Sequence, residues 1–202
     1  MVLIEQNMTF DQENARVVFD YPYIKDVTLL QDNSCQARKI EESVEKRLVK
    51  QGLRAEYDKE VQGYLDRGTF RELTKAEMEN WRREGLPVNY ISHHGVLKET
   101  SLSTKLRIVS NSSLVNNKSG FSLNDCLAKG PNSLVPLLQA LVTFRMYQHI
   151  TVWDYSKCYN SVHTLEKDAH LRRFVWRNDG ETEWRHYVIQ RMHFGDRPAA
   201  TG

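Results

Sequence analysis

The chain has 202 residues, of which 40% are hydrophobic and 27% are charged. This length allows one domain or two small ones with a sizeable core, and the composition excludes disordered, collagen-like and low-complexity proteins. Every apolar run is shorter than the roughly 18 residues of a membrane span, so we expect no membrane partner. The three widely spaced cysteines fit neither a disulfide framework nor a Cys-x-x-Cys zinc site, which predicts an intracellular, cytoplasmic setting.

The net charge of +2 is distributed unevenly along the chain. Residues 1–34 carry two basic and six acidic side chains, and the mildly basic remainder permits a nucleic-acid partner without requiring one. The same first segment has no regular hydrophobic period, and Pro22 keeps Tyr21 out of the helical region. We therefore predict that residues 1–34 form an extended N-terminal arm.

Two amphipathic helices are predicted next. Apolar residues at every fourth position predict one helix over residues 35–50, ended by Gly52, and a second over residues 53–67, ended by Gly68. The short connection between them predicts that the two helices pack as a hairpin.

Short strands and one brief helix follow. The spacing Thr74-x-x-Glu77 is that of a capping box and predicts a helix start. Hydrophobic alternation and β-branched content predict strands over 69–73, 90–98, 105–109, 172–177 and 184–190. The mixture of helices and antiparallel strands predicts an α+β fold.

The segment before Asp154 carries the strongest apolar pattern. The clearest helix of the chain is predicted over residues 134–146, because Leu and Val residues there form a broad apolar face. The β-branched run 149–154 predicts a buried strand that ends on the Asp154 carboxylate. A buried ionised carboxylate is costly unless it is paired or holds a metal, so Asp154 is either a turn cap or a site residue.

Residues 154–162 read Asp-Tyr-Ser-Lys-Cys-Tyr-Asn-Ser-Val. This run resembles motif A of reverse transcriptases, in which an aromatic residue follows a strand-end Asp by five positions. Other segments resemble the same family in the same order: the fingers strand Lys105-Leu106-Arg107-Ile108-Val109, the link Gly120 to Asp125 with Gly130-Pro131, and the motif B turn Phe194-Gly195-Asp196-Arg197-Pro198-Ala199. With Tyr90-x-x-His93-His94-x-Val96-x-Lys98, the pattern resembles the Pao/BEL group of long-terminal-repeat retroelements over nearly the whole chain.

The resemblance implies a metal and sugar site around motif A. Asp154 would be the catalytic carboxylate and would bind Mg²⁺ together with the backbone carbonyl of Tyr155, because hard oxygen ligands suit this ion. Tyr159 would be the aromatic steric gate against the ribose 2′-hydroxyl, and an ordinary core tyrosine is the alternative.

The resemblance also implies a triphosphate site and a template loop. Arg107 would contact the triphosphate, a bidentate task that suits a guanidinium, and Lys105 either assists it or is simply solvated. Gly195 and Pro198 would shape the motif B loop beneath the template. Phe194 departs from the family pattern, since many relatives have Gln at this position.

The implied architecture is a right-hand polymerase fold, with fingers over residues 35–148 and a partial palm over residues 149–202. The partners would be an RNA or DNA template-primer, deoxynucleoside triphosphates and the rest of a Pol polyprotein. No Tyr-x-Asp-Asp follows Asp154, so we expect the palm to stop before its second carboxylate hairpin, with the thumb and RNase H regions also missing. Two-metal phosphoryl transfer needs carboxylates from two places, so we expect this chain alone to be inactive.

Two alternative functions remain open on the sequence. The first is a non-catalytic nucleic-acid-binding remnant, whose phosphate contacts would come from Lys105 and Arg107 and from an arginine-rich region: Arg172, Arg173, Arg177, Arg185 and Arg191. The second is a protein-interaction module built on the helical hairpin 35–67.

Overall fold

A computed structural model describes residues 7–97, 106–129, 135–153, 155 and 157–198. This part of the chain combines helices with small sheets, which confirms the predicted α+β class. The predictions for Lys105 and Asp154 lie outside the described residues. Among the described residues, no helix has both the length and the apolar character that crossing a bilayer requires.

The two long helices form where they were predicted. Helix α1 spans Ser34–Gln51 and α2 spans Arg54–Asp66. Gly52 ends α1 in the left-handed region, with a φ of 68°, which glycine adopts without a Cβ penalty. The remaining helices of the described part are short: α3 (Lys75–Arg83), α4 (Leu123–Cys126), α5 (Leu137–Arg145), α6 (Cys158–Ser161) and α7 (Glu166–His170). The predicted capping box between Thr74 and Glu77 opens α3.

The strands of the described part form three small sheets. In chain order they are β1 (Met8–Asp11), β2 (Arg16–Phe19), β3 (Phe70–Glu72), β4 (Ser92–Leu97), β5 (Leu106–Asn111), β6 (His163–Thr164), β7 (Arg173–Trp176) and β8 (Arg185–Ile189). The first sheet has the order β1-β2-β6, with β6 parallel to β2. The second has the antiparallel order β3-β8-β7, and β4 and β5 form an antiparallel pair.

The main hydrophobic core lies between the helical hairpin and the last two of these sheets. Its buried side chains come from both helices and from four strands: Val44, Leu48, Tyr57, Val61, Tyr64, Phe70, Ile108, Trp176 and Ile189. The apolar stripes of α1 and α2 are therefore used by the core of the chain itself. That arrangement weakens the protein-interaction alternative, because the core occupies these stripes.

The described part of the N-terminal segment, from residue 7 onward, is anchored in the fold and does not form the extended arm that was predicted. Strands β1 and β2 make a hairpin, and Phe19, Tyr21 and Leu30 are buried in a second core. Their contacts come from Leu123, Leu127, Leu171 and neighbouring side chains, most of them more than 90 residues away in sequence. Local periodicity cannot report contacts of this kind, which explains the error.

Residues 135–153, which we call the apolar segment, differ most from expectation. Helix α5 forms, but none of its residues is buried, and Leu137 and Leu138 are 73% and 74% exposed. Residues 149–153 form no strand, and Trp153 is 77% exposed, so the predicted buried strand is wrong. A strand needs a neighbour to bind its backbone N–H and C=O groups, and no described strand pairs with this run.

A buried carboxyl group lies inside the main core. Oε1 of Glu41 accepts the backbone N–H of His93 at 2.9 Å, while Oε2 has no hydrogen-bond partner among the described residues. Burial raises the pKa of Glu41 well above its usual range and lowers the pKa of His93 to about 3. The native state therefore favours a protonated Glu41 beside a neutral imidazole.

We expect Glu41→Gln to raise the free energy of unfolding at neutral pH. The unfolded chain loses the Glu41 proton above the ordinary pKa while the native state retains it, so native stability falls as the pH rises toward the raised pKa. Glutamine keeps the acceptor for the His93 N–H and removes this loss. Denaturant unfolding between about pH 4 and about pH 8 measures the difference. Glu42→Gln, on the exposed side of the same helix, is the control, and an unchanged pH profile in Glu41→Gln would contradict the prediction.

Candidate functional site

A cleft of about 840 Å³ opens beyond the C-terminal end of β5. Residues from four separated stretches line it: the loop after β5, the α4 region, α6, and the turn formed by residues 194–197. The lining combines two aromatic rings, Tyr159 and Phe194, with two cations, Lys129 and Arg197. We call this surface the aromatic cleft.

Tyr159 contributes to both the core and the cleft. It is half-buried and packs against the second core, while its ring meets that of Phe194 edge-on with centroids 5.3 Å apart. The residue at the start of α6, Lys157, has a φ of 57°, which is uncommon for a residue other than glycine and occurs often at functional sites. Tyr159 therefore packs against the second core and also lines the aromatic cleft, while its role as a steric gate stays a prediction.

The 194–197 turn packs directly on the backbone of β5. Gly195 has a φ of 114°, and a Cβ at this position would lie 1.9 Å from the carbonyl oxygen of Ser110. The Ser110 N–H donates to the Phe194 carbonyl at 3.0 Å. Gly195 therefore permits the close approach of this turn to the backbone of Ser110. Pro198, which follows this turn, is buried.

A buried ion network, consisting of Tyr21, Tyr23, Asp168, Arg172 and Asp196, lies behind this turn. The Asp196 carboxylate accepts hydrogen bonds from the Tyr21 hydroxyl at 2.6 Å and from Nη1 of Arg172 at 3.1 Å. The Tyr23 hydroxyl donates to Asp168 at 2.6 Å. The network connects the N-terminal segment to the turn that lines the aromatic cleft.

The charges of the cleft lie at its exposed rim. Lys129 and Arg197 are exposed, and the Arg197 guanidinium donates to the backbone carbonyl of Asn124 at 3.2 Å. Hydrogen bonds from the backbone N–H and hydroxyl of Ser122 lower the pKa of Asp125, so this carboxylate is ionised at neutral pH. Two cations and one anion thus lie at the rim, and the buried Asp196 carboxylate also lines the cleft.

Two of the predicted site residues, Tyr159 and Gly195, come together in the aromatic cleft. Arg107 does not join them: it is exposed on β5, four residues before the end of that strand and roughly 13 Å along it. The Tyr155 side chain is exposed and its ring lies 5.4 Å from that of Trp153. Asp154 and Lys105 lie outside the described residues.

Sequence reasoning missed three residues of the cleft. Arg197 and Asn124 stand inside segments that carried the family resemblance, but they had no role assigned to them. Lys129 precedes the Gly130-Pro131 pair and gave no other signal. Their proximity depends on contacts across about 70 residues, such as the 2.9 Å bond from the Arg197 N–H to Oδ1 of Asn124.

The arginine-rich region proposed for phosphate binding is largely occupied by internal contacts. Arg172 and Arg173 are buried, and Arg177 pairs with Glu45 at 2.8 Å. Arg185 pairs with Glu181 at 2.6 Å, and Arg191 donates to a backbone carbonyl. These guanidinium groups mainly hold the fold together, which weakens the remnant hypothesis at this surface.

Within the described ranges, no group of three or more His, Cys, Asp or Glu side chains is placed to hold a metal ion. This finding does not bear on the predicted Mg²⁺ site, since Asp154 lies outside those ranges. Neither a scan against protein-family models nor a search of curated proteins found a match to the chain. The functional argument therefore depends on the geometry of the cleft and on the motifs in the sequence.

Proposed function

We propose that the chain is the fingers and first half of the palm of an RNA-directed DNA polymerase from a Pao/BEL-type retroelement, in a right-hand polymerase fold. One observation carries the proposal: Tyr159 and the turn 194–197 line the same cleft. The motif resemblance assigns these two segments, independently of the structure, to the surroundings of one incoming nucleotide.

The chemistry of the aromatic cleft suits a nucleotide. Aromatic side chains bind the faces and edges of bases and sugars, and Lys and Arg side chains bind phosphate oxygens. The pair Tyr159 and Phe194 supplies the first kind of contact, and Lys129 and Arg197 supply the second. A volume of about 840 Å³ is within the range of small-molecule sites.

In the complete enzyme, Mg²⁺ would stabilise the charge of the transferring phosphoryl group, with Asp154 and the Tyr155 carbonyl as its ligands in this half of the palm. The sequence has no second carboxylate pair after Asp154. We therefore expect the purified chain to bind a template-primer without extending it. Templated extension by this chain would contradict that part of the proposal.

The apolar segment supports a further part of the proposal, namely that the rest of the Pol polyprotein covers it. Eleven large hydrophobic side chains of this segment, from Val135 to Trp153, are more than 40% exposed. At roughly 100 Å² for each such side chain, the exposed apolar area is on the order of 1,000 Å², well above the 300–600 Å² of the largest patch on a typical monomer. In the proposed enzyme, the remaining palm elements would bury this area.

The test is fluorescence anisotropy of a labelled primer-template duplex titrated with the purified chain. We expect binding at about 50 mM salt that weakens steeply toward about 200 mM salt, because phosphate contacts release counterions. Addition of Mg²⁺ and the matching deoxynucleoside triphosphate should tighten the complex. A circular dichroism melt on the same sample establishes that the chain unfolds cooperatively.

Two arginine variants make this test specific. Arg107→Ala should weaken duplex binding and reduce the salt slope by about one, whereas Arg83→Ala, on the exposed end of α3, should change neither. A cooperatively folded chain that binds no duplex would refute the proposed function. Equal effects of the two variants would remove Arg107 from the proposed interface.

A further inference from the structure

The side chain of Asn124 contacts the 194–197 turn through both ends of its amide. Nδ2 of Asn124 donates to the Gly195 carbonyl at 2.9 Å, and Oδ1 accepts the backbone N–H of Arg197 at 2.9 Å. The same Nδ2 also donates to the hydroxyl of Ser113 at 2.8 Å, on the opposite side of the cleft lining. One amide thus joins two of the stretches that form the aromatic cleft.

Further contacts hold the turn from behind, in addition to the Arg197 bond to the Asn124 carbonyl and the contact between the Phe194 and Tyr159 rings. Ser110 contacts Phe194 and Gly195 through its backbone, and Asp196 points into the buried ion network. Those contacts hold the turn against β5 and against the buried ion network. The Asn124 amide bonds to two residues of the turn, namely Gly195, which directly follows Phe194, and Arg197.

We propose that Asn124 is a positioning residue that sets the distance between the rings of Phe194 and Tyr159, and thereby the discrimination between deoxyribose and ribose at the aromatic cleft. This inference rests on the proposed function. The ring pair is separated by 5.3 Å, and it can sense a single hydroxyl group on a sugar only if both rings are held in place. Tyr159 packs against the second core. The position of the Phe194 ring depends on the 194–197 turn, to which the Asn124 amide is hydrogen-bonded.

The two hydrogen bonds between the Asn124 side chain and the turn require an amide. Asparagine offers a donor to the Gly195 carbonyl and an acceptor to the Arg197 N–H at the same time. Aspartate has the same shape and keeps the acceptor, but it places a carboxylate oxygen against the Gly195 carbonyl oxygen. Asn124→Asp therefore breaks one contact of the turn with little change in volume. Asn124→Ser shortens the side chain and loses both contacts, which provides a second variant if the first fails to fold.

The experiment measures two quantities in the wild type, in both Asn124 variants and in a control, Asn80→Asp, on the exposed face of α3. The first quantity is hydrogen exchange at the Arg197 amide. The second is the ratio of affinities for deoxyadenosine triphosphate and adenosine triphosphate, two probes that differ only in the 2′-hydroxyl. We expect an affinity ratio about tenfold closer to one and an unchanged circular dichroism melt in both Asn124 variants. Exchange at Arg197 should become faster in Asn124→Ser, which alone loses the acceptor for that N–H. The control should match the wild type.

The possible failures can be told apart. A wild-type chain that binds neither triphosphate refutes the proposed function and this inference with it. A wild-type chain that prefers the deoxynucleotide, with the same ratio in both Asn124 variants, refutes the inference alone, because a merely structural role of Asn124 changes exchange without changing the ratio. Unchanged exchange at Arg197 in Asn124→Ser also refutes it.

Discussion

Replacement of Arg172 by methionine should lower the free energy of unfolding by about 3–5 kcal/mol. Arg172 is 1% exposed, and its Nη1 donates to the Asp196 carboxylate, to the Tyr21 hydroxyl and to the backbone carbonyl of Arg191. Methionine fills most of the volume but removes every donor. The Asp196 carboxylate then remains buried without its counter-charge, and this leftover anion is the main cost.

Denaturant unfolding of Arg172→Met and of a matched control measures the prediction. The control is Arg38→Met, which breaks an exposed pair with Glu42 on the surface of α1 and should cost less than about 1 kcal/mol. Adding Asp196→Asn to Arg172→Met should recover part of the loss, because the orphaned charge is gone. Losses of similar size in Arg172→Met and Arg38→Met would contradict the argument.

The elements that could be predicted from the sequence are those whose signals are local. Helices α1 and α2 have apolar residues at a helical period and end at glycines, and α3 begins with a capping box only four residues long. Strands β7 and β8 flank a short turn at 178–180. In each of these cases the residues that stabilise the element lie within a few turns or one hairpin of each other, so their spacing along the chain reports the structure.

The missed features depend on distant contacts. Phe19 and Tyr21 are buried by side chains more than 90 residues away, and the polar groups that stabilise Asp196 come from three separate parts of the chain. In the apolar segment the error is the opposite one, since burial was predicted and the side chains are exposed. Its sequence has the hydrophobic pattern of a buried helix and strand, but pattern predicts burial only when another element covers the face, and no described element does so here.

The residues of the candidate site also fall into two groups, those that motif spacing predicted and those that depend on distant contacts. Motif spacing singled out Tyr159 and Gly195, and both line the aromatic cleft. Their surroundings, including Asn124 and Lys129, are set by how the 194–197 turn packs on β5. Spacing within a motif carries no information about that packing, because it reports separation along the chain and not the approach of two distant backbones.

The approach of the turn to β5 makes Gly195→Ala the second substitution with a large expected effect. A Cβ at residue 195 would lie 1.9 Å from the Ser110 carbonyl oxygen, and the φ of 114° is outside the regions that alanine readily adopts. Backbone strain and steric overlap each cost about 1–3 kcal/mol, so we expect a combined loss of about 2–6 kcal/mol in the free energy of unfolding. Both parts of the penalty act on the turn that lines the cleft, so triphosphate binding should weaken as well.

Gly180→Ala separates the two causes of this loss. Gly180 also has a positive φ, 81°, but nothing lies within 4 Å of a Cβ placed there. That variant carries only the backbone strain and should cost about 1–2 kcal/mol. Hydrogen exchange of the Ser110 amide, which donates to the Phe194 carbonyl, should speed up in Gly195→Ala and stay unchanged in Gly180→Ala. If both variants lose the same stability and the Ser110 amide remains protected in each, the turn does not depend on the close backbone approach, and Gly195 has no special role in shaping the cleft.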